Sequence, residues 1–243
     1  MEHVIDWLRR EMLEPEITLG DRRVPIVLRR NARARRLTLR LAPDGAEVRI
    51  TLPRWARSAE AIAFAHARRE WLEQQVAKVP PPAPPVTGGT LVLRGEEYTI
   101  AWRADSPRLP QIDGDQILVG GPETSLPTRL RRWVEGLAHD QLASDVAHYC
   151  DRAGIAAVPV ALSRAQRRWG SCSQLHTIRI NWRLIQAPEM VRRSVAAHEV
   201  AHLVHFDHSP QFHALLADLF EGDISDADRW LRAHGRTLYT AFG

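Results

Sequence analysis

His198, Glu199 and His202 form a His-Glu-x-x-His arrangement inside a stretch that reads as helix. Residues four apart share one helix face, a turn above each other, so the two imidazoles can close on a single metal ion. Glu199 then stands where it can take a proton from a metal-bound water. One helix face cannot surround a tetrahedral ion, so a third ligand must come from elsewhere. His205 continues the same stripe, but at about 1.5 Å of rise per residue it lies roughly 10 Å along the axis from His198, a poor geometry for sharing an ion. His208 falls beyond the expected helix end, where a turn at Phe206-Asp207 can swing it back. We therefore expect His198, His202 and His208 as metal ligands, with a fourth position left for water. Zinc (Zn2+) is the default for such donors, and manganese or iron fit them too. The metal acidifies the water, Glu199 accepts its proton, and a carbonyl or phosphoryl centre is attacked.

The elements around these residues are legible from apolar spacing. Pro188 and Glu189 suit the start of the metal-binding helix, and Ser209-Pro210 the start of the next, which carries Phe212, Leu215, Leu216 and Leu219. A third helix is expected from about Ser225. Upstream, strands are predicted at Val158 to Leu162 and Thr177 to Trp182. A long helix runs from Pro127 to Ala153 and stops at Gly154. Further strands are predicted at Thr90 to Leu93, Tyr98 to Trp102 and Gln116 to Val119. Pro80 to Pro85 reads as a stiff connector.

Before it, Val24 to Leu28, Leu37 to Leu41 and Glu47 to Leu52 alternate around a Pro43-Asp44-Gly45 turn, predicting an antiparallel meander with arginines on one face. A single helix then runs from Ser58 to about Val76, and a short amphipathic helix is expected within residues 1–14. The fold class is α+β. A β-rich N-terminal region (1–85) precedes a catalytic region of helices and strands (86–243).

The 243 residues carry a net charge of +4, but unevenly: residues 22–57 hold eleven arginines against Asp44 and Glu47. A solvated face is the plain reading, and a footprint for nucleic acid or another polyanion is the alternative. Lys78 is the only lysine. Cys150 and Cys172 make no disulfide framework and are expected as reduced thiols. The charged first twenty residues do not read as a secretory signal, and no apolar run reaches the roughly 18–20 residues of a membrane span. A cytoplasmic protein without membrane contact is expected.

Three blocks together resemble a known family. They are Arg167-Arg168-Trp169-Gly170-Ser171-Cys172-Ser173 with Ile178 to Leu184, then His198 to His202, then Asp207-His208-Ser209-Pro210-Gln211-Phe212. The pattern is similar to the YgjP-like metal-dependent hydrolases, related to SprT-type and WLM-type zincin proteases. Val200, Asp207 and His213 depart from the usual leucine, asparagine and tryptophan, and none removes a ligand. The resemblance implies a zincin-like catalytic half with His198, His202 and His208 on the metal, Glu199 as base and a protein or peptide substrate. In zincins the strand before the metal helix commonly offers its edge to substrate, which makes Ile178 to Trp182 the candidate edge strand. Arg168 is a candidate for stabilising oxyanion charge. The resemblance also admits a nucleotide pyrophosphatase. A third reading is a zinc-stabilised, nucleic-acid-associated binding protein, with Cys172 closing the metal site.

Overall fold

Short alternating segments joined by tight glycine turns build two four-stranded sheets of the same design. In the computed structural model, which describes residues 15–243, the first sheet holds β1 (Glu16–Leu19), β2 (Arg22–Arg30), β3 (Thr38–Leu41) and β4 (Val48–Leu52). The helix expected in residues 1–14 lies outside the described residues. The strand order is β1-β2-β4-β3: β1–β2 and β3–β4 are antiparallel, whereas β2 and β4 run parallel. The expected antiparallel meander therefore does not form. Residues 31–37 carry the chain across to the far edge, so that β4 returns between β3 and β2.

The second sheet repeats this plan with β5 (Thr90–Leu93), β6 (Glu96–Trp102), β7 (Gln111–Asp113) and β8 (Gln116–Val119), in the order β5-β6-β8-β7 and with the same pairing senses. Positive φ angles at Gly20 and Gly45 in one sheet, and at Gly95 and Gly114 in the other, close the hairpins. Glycine reaches that region without the Cβ clash other residues suffer.

The chain divides into two compact units between Pro81 and Pro82, each with its own core. In the first, the inward faces of β1, β2 and β4 pack with Ala61, Ala65 and Leu72 of α1 (Ser58–Ala67) and α2 (Arg69–Val76). The expected single helix is broken at Arg68 (φ −110°, ψ 19°), whose N–H turns to Ala65 O, three residues back, and tightens the last turn.

In the second unit the long helix α3 (Leu126–Arg152) buries Leu130, Val134, Leu142 and Val146 completely, each stabilising the fold by about 1.5–3 kcal/mol relative to exposure. It packs against α4 (Glu189–Val204), and the two are tied by a buried ion pair, Arg192 Nε to Asp145 Oδ2 at 2.6 Å. A third sheet holds β9 (Val160–Ser163), β10 (Gly170–Cys172) and β11 (Ile178–Asn181), in the order β10-β11-β9. β11 is thus the central strand, antiparallel to β10 and parallel to β9. The edge strand beside α4 is β10, not the Ile178 to Trp182 segment. Helices α5 (Pro210–Leu219) and α6 (Ile224–His234) complete the unit. The chain is α+β with mixed sheets. No described helix is long and apolar enough to cross a membrane.

Candidate metal centre

Helix α4 opens behind Pro188, with Glu189 in its first turn, where an acid suits the positive end of the helix dipole. One turn separates His198 from His202, and their ring centroids lie 4.8 Å apart. The helix stops at Val204 because His205 is extended (φ −126°, ψ 109°). Ser209 then caps α5, its Oγ accepting the Phe212 N–H at 3.4 Å, with Pro210 as the first helical residue. Between these two fixed points His208 is turned back onto α4. Its Nε2 lies 3.4 Å from His198 Nε2, and a potential ligating nitrogen from each of the three histidines falls within 4.8 Å of the others.

His205 does not join this group, yet its backbone serves it. The His205 carbonyl lies 3.0 Å from His202 Nδ1. A carbonyl can only accept, so Nδ1 carries the proton and the Nε2 lone pair is left for a metal. Beneath all three imidazoles sits Phe212, fully buried, with its ring centroid 5.0, 4.5 and 4.9 Å from those of His198, His202 and His208. Sequence reasoning placed Phe212 as an apolar helix position and as the last residue of the Asp207 to Phe212 block, without a role toward the histidines. Its place in the first turn after the Ser209 cap, directly below the third histidine, was the available signal.

These residues suit a borderline cation such as zinc. Burial, and then the neighbouring His202 and His208, push the His198 pKa down to about 4, and a neutral imidazole is the form a metal needs. Cys172 stands outside the ligand group: its Sγ is directed to Ser173 O at 3.6 Å, and burial followed by the Glu199 charge raises its thiol pKa.

Glu199 is only 5% exposed, and its Oε2 has no hydrogen-bond partner. Burial raises its pKa to about 7, against the opposing pull of the Arg168 guanidinium and the Cys172 backbone N–H. The carboxylate lies directly against β10: a Cβ at Gly170 would come within 2.3 Å of Oε1. Gly170 therefore makes room for Glu199, a role the motif did not reveal. Arg168 is exposed, and its guanidinium makes no hydrogen bond or ion pair among the described residues. A cleft of about 240 Å³ opens here, with Arg168 and Glu199 beside the apolar Trp169, Val195, Ile224 and Leu231.

Two comparisons with known proteins give matches. A family model described as YgjP-like, metallopeptidase domain, matches residues 35–234. The crystal structure of the metallopeptidase zymogen of Pyrococcus abyssi abylysin is similar over 37% of this chain and 92% of that one, at 22% identity and a TM-score of 0.35. No curated protein matches.

Proposed function

Because the chain belongs to the YgjP-like metallopeptidase family, we propose that it is a zinc-dependent peptidase in which His198, His202 and His208 hold the ion and Glu199 handles the protons. The observation that carries this reading is the convergence of three imidazole nitrogens within 4.8 Å, next to a buried carboxylate oxygen with no other partner. Zinc held by these imidazoles supplies Lewis acidity toward water and toward a carbonyl oxygen. Glu199 Oε2 takes the proton of the attacking water and returns it to the departing amine nitrogen. Gly170 keeps that carboxylate pressed against the strand and out of bulk water. The Arg168 guanidinium, on the wall of the same cleft, stabilises the charge that develops on the carbonyl oxygen.

An extended polypeptide fits alongside β10, whose outer edge has no strand partner among the described residues. Main-chain hydrogen bonds along such an edge give affinity without demanding a particular sequence. The cleft walls Trp169, Val195, Ile224 and Leu231 then receive one apolar side chain.

The test uses purified full-length protein and its Glu199→Gln variant. Zinc content is measured first, then cleavage of an unfolded protein and hydrolysis of nucleoside triphosphates in parallel. The expected outcome is one zinc in both proteins, with peptide cleavage reduced about 10²–10⁴-fold in the variant, the usual contribution of a general base. Undiminished cleavage by Glu199→Gln overturns the assignment. Glu199-dependent hydrolysis of triphosphates, with no peptide cleavage, replaces it by a pyrophosphatase.

A further inference from the structure

The first sheet presents a surface that the metal centre does not explain. Because β2 and β4 are parallel, with Arg30 opposite Leu52, the segments that follow them leave the sheet at the same end. Asn31 N–H bonds Leu52 O at 2.9 Å. The Arg30 guanidinium then clamps the second segment, its NH1 donating to Arg54 O at 3.0 Å and Ala56 O at 2.8 Å. Two loops, 31–37 and 53–57, are thereby held side by side. They carry Arg33, Arg35 and Arg36 on one and Arg54, Trp55 and Arg57 on the other, all exposed. The Trp55 side chain is 76% exposed. Among the described residues the guanidiniums of Arg33, Arg35, Arg36 and Arg54 make no hydrogen bond or ion pair. The acid nearest in sequence, Glu60, is turned to the backbone N–H of Arg57.

The second sheet has the same end with different side chains. The equivalent backbone bond is present, Arg103 N–H to Val119 O at 3.1 Å. The residue in the register position of Arg30 is Trp102, and it does the clamping there, its Nε1 donating to Gly121 O at 2.8 Å. The loops of this sheet bond each other, Gly120 N–H to Pro107 O at 2.8 Å, and Arg129 NH1 donates to Pro122 O at 2.9 Å. Both copies clamp their loops together, but only the first carries an exposed tryptophan there, beside a cluster of exposed arginines.

We propose that the 31–37 and 53–57 loops of the first sheet bind single-stranded nucleic acid, Trp55 stacking on an unpaired base while the free arginines engage flanking phosphates. An indole face offers stacking to any base, and guanidinium pairs with phosphate through parallel hydrogen bonds. A duplex hides its base faces, so the tryptophan selects single strands. A loop built to enter a bilayer would carry several apolar side chains, whereas Trp55 is the only large exposed hydrophobic residue in either loop. An acidic peptide would answer the arginines and leave the indole unused.

Fluorescence anisotropy of a labelled 12-nucleotide oligothymidylate, titrated with full-length protein at several salt concentrations, tests this. A duplex of equal length and phosphatidylglycerol vesicles serve as parallel arms. Trp55→Ala should weaken binding about tenfold, and Trp55→Phe should restore most of it. The Arg33→Gln, Arg35→Gln, Arg36→Gln triple variant should lower the slope of log affinity against log salt by about 2. Thermal melts and peptidase activity of all variants should match the parent, because these side chains support neither core nor metal centre. The proposal is overturned by absent or non-saturable oligonucleotide binding. It also falls if Trp55→Ala binds within twofold of the parent, or if duplex or vesicles bind as well as the single strand.

Discussion

Replacing Gly170 with alanine should disable turnover while leaving the metal ligands intact. The added Cβ would lie 2.3 Å from Glu199 Oε1, 2.6 Å from its Cγ and 2.7 Å from its Cδ, where ordinary contact begins near 3.4 Å. Carboxylate or strand must therefore yield by about 1.1 Å in a close-packed surround. Neither has slack. Glu199 is 5% exposed, and Gly170 is held in register opposite Ile180. A displacement of about 1 Å at a reacting group costs about a hundredfold in rate, or about 2.7 kcal/mol on the barrier. The assay is steady-state cleavage of a quenched fluorescent unfolded protein, read beside zinc stoichiometry and thermal melting. A kcat about a hundredfold lower is expected, with KM within a few-fold, zinc unchanged and the fold retained. A kcat within threefold of the parent refutes the reasoning. So does loss of zinc, since the glycine would then be supporting the ligands rather than the base.

Phe212→Ala should cost about 3–5 kcal/mol in denaturant unfolding, because the ring is completely buried. It should also weaken zinc about 10–100-fold in competition with a chelating dye, since three imidazoles lose their platform; unchanged affinity would mean the histidines are held without it. Asp145→Ala strands the Arg192 charge in the α3–α4 contact and should cost about 3–5 kcal/mol, whereas replacing both partners by apolar residues of similar size should recover most of the loss. Urea titrations read both. Removing metal with a chelator should abolish cleavage reversibly yet leave the circular dichroism spectrum in place, because each unit has an apolar core of its own; cooperative unfolding on chelation would contradict this.

The helical half of the protein was nearly complete in the sequence. Apolar spacing and caps placed α3, α4 and α5 to within a residue or two, and the turn expected at Phe206-Asp207 comes slightly earlier, at the extended His205. What the residues did not disclose is pairing. β10 has three residues, too few to show alternation, so no strand was expected in the Arg167 to Ser173 block and the edge was sought in β11. Likewise Leu37 to Leu41 and Glu47 to Leu52 were recognisable as strands, but nothing local states that β4 inserts beside β2. Steric roles were hidden for the same reason. Gly170 acts on Glu199, 29 residues away, and Phe212 acts on His198 and His202 across the turn between α4 and α5, so their effects show only in three-dimensional proximity.

The shared strand order of the two four-stranded sheets bears on the history of the chain. In each, a glycine-turned hairpin, a crossover and a second glycine-turned hairpin lead through a proline, Pro53 or Pro122, into a helix. No fixed-period repeat of residues accompanies this shared order. A tandem duplication of one ββββα segment leaves such a trace, preserved in hydrogen-bond connectivity after the letters have changed. On that view one copy now adds Leu91, Ile100 and Ile117 to the core of the unit that carries the histidines, while the other has a core of its own.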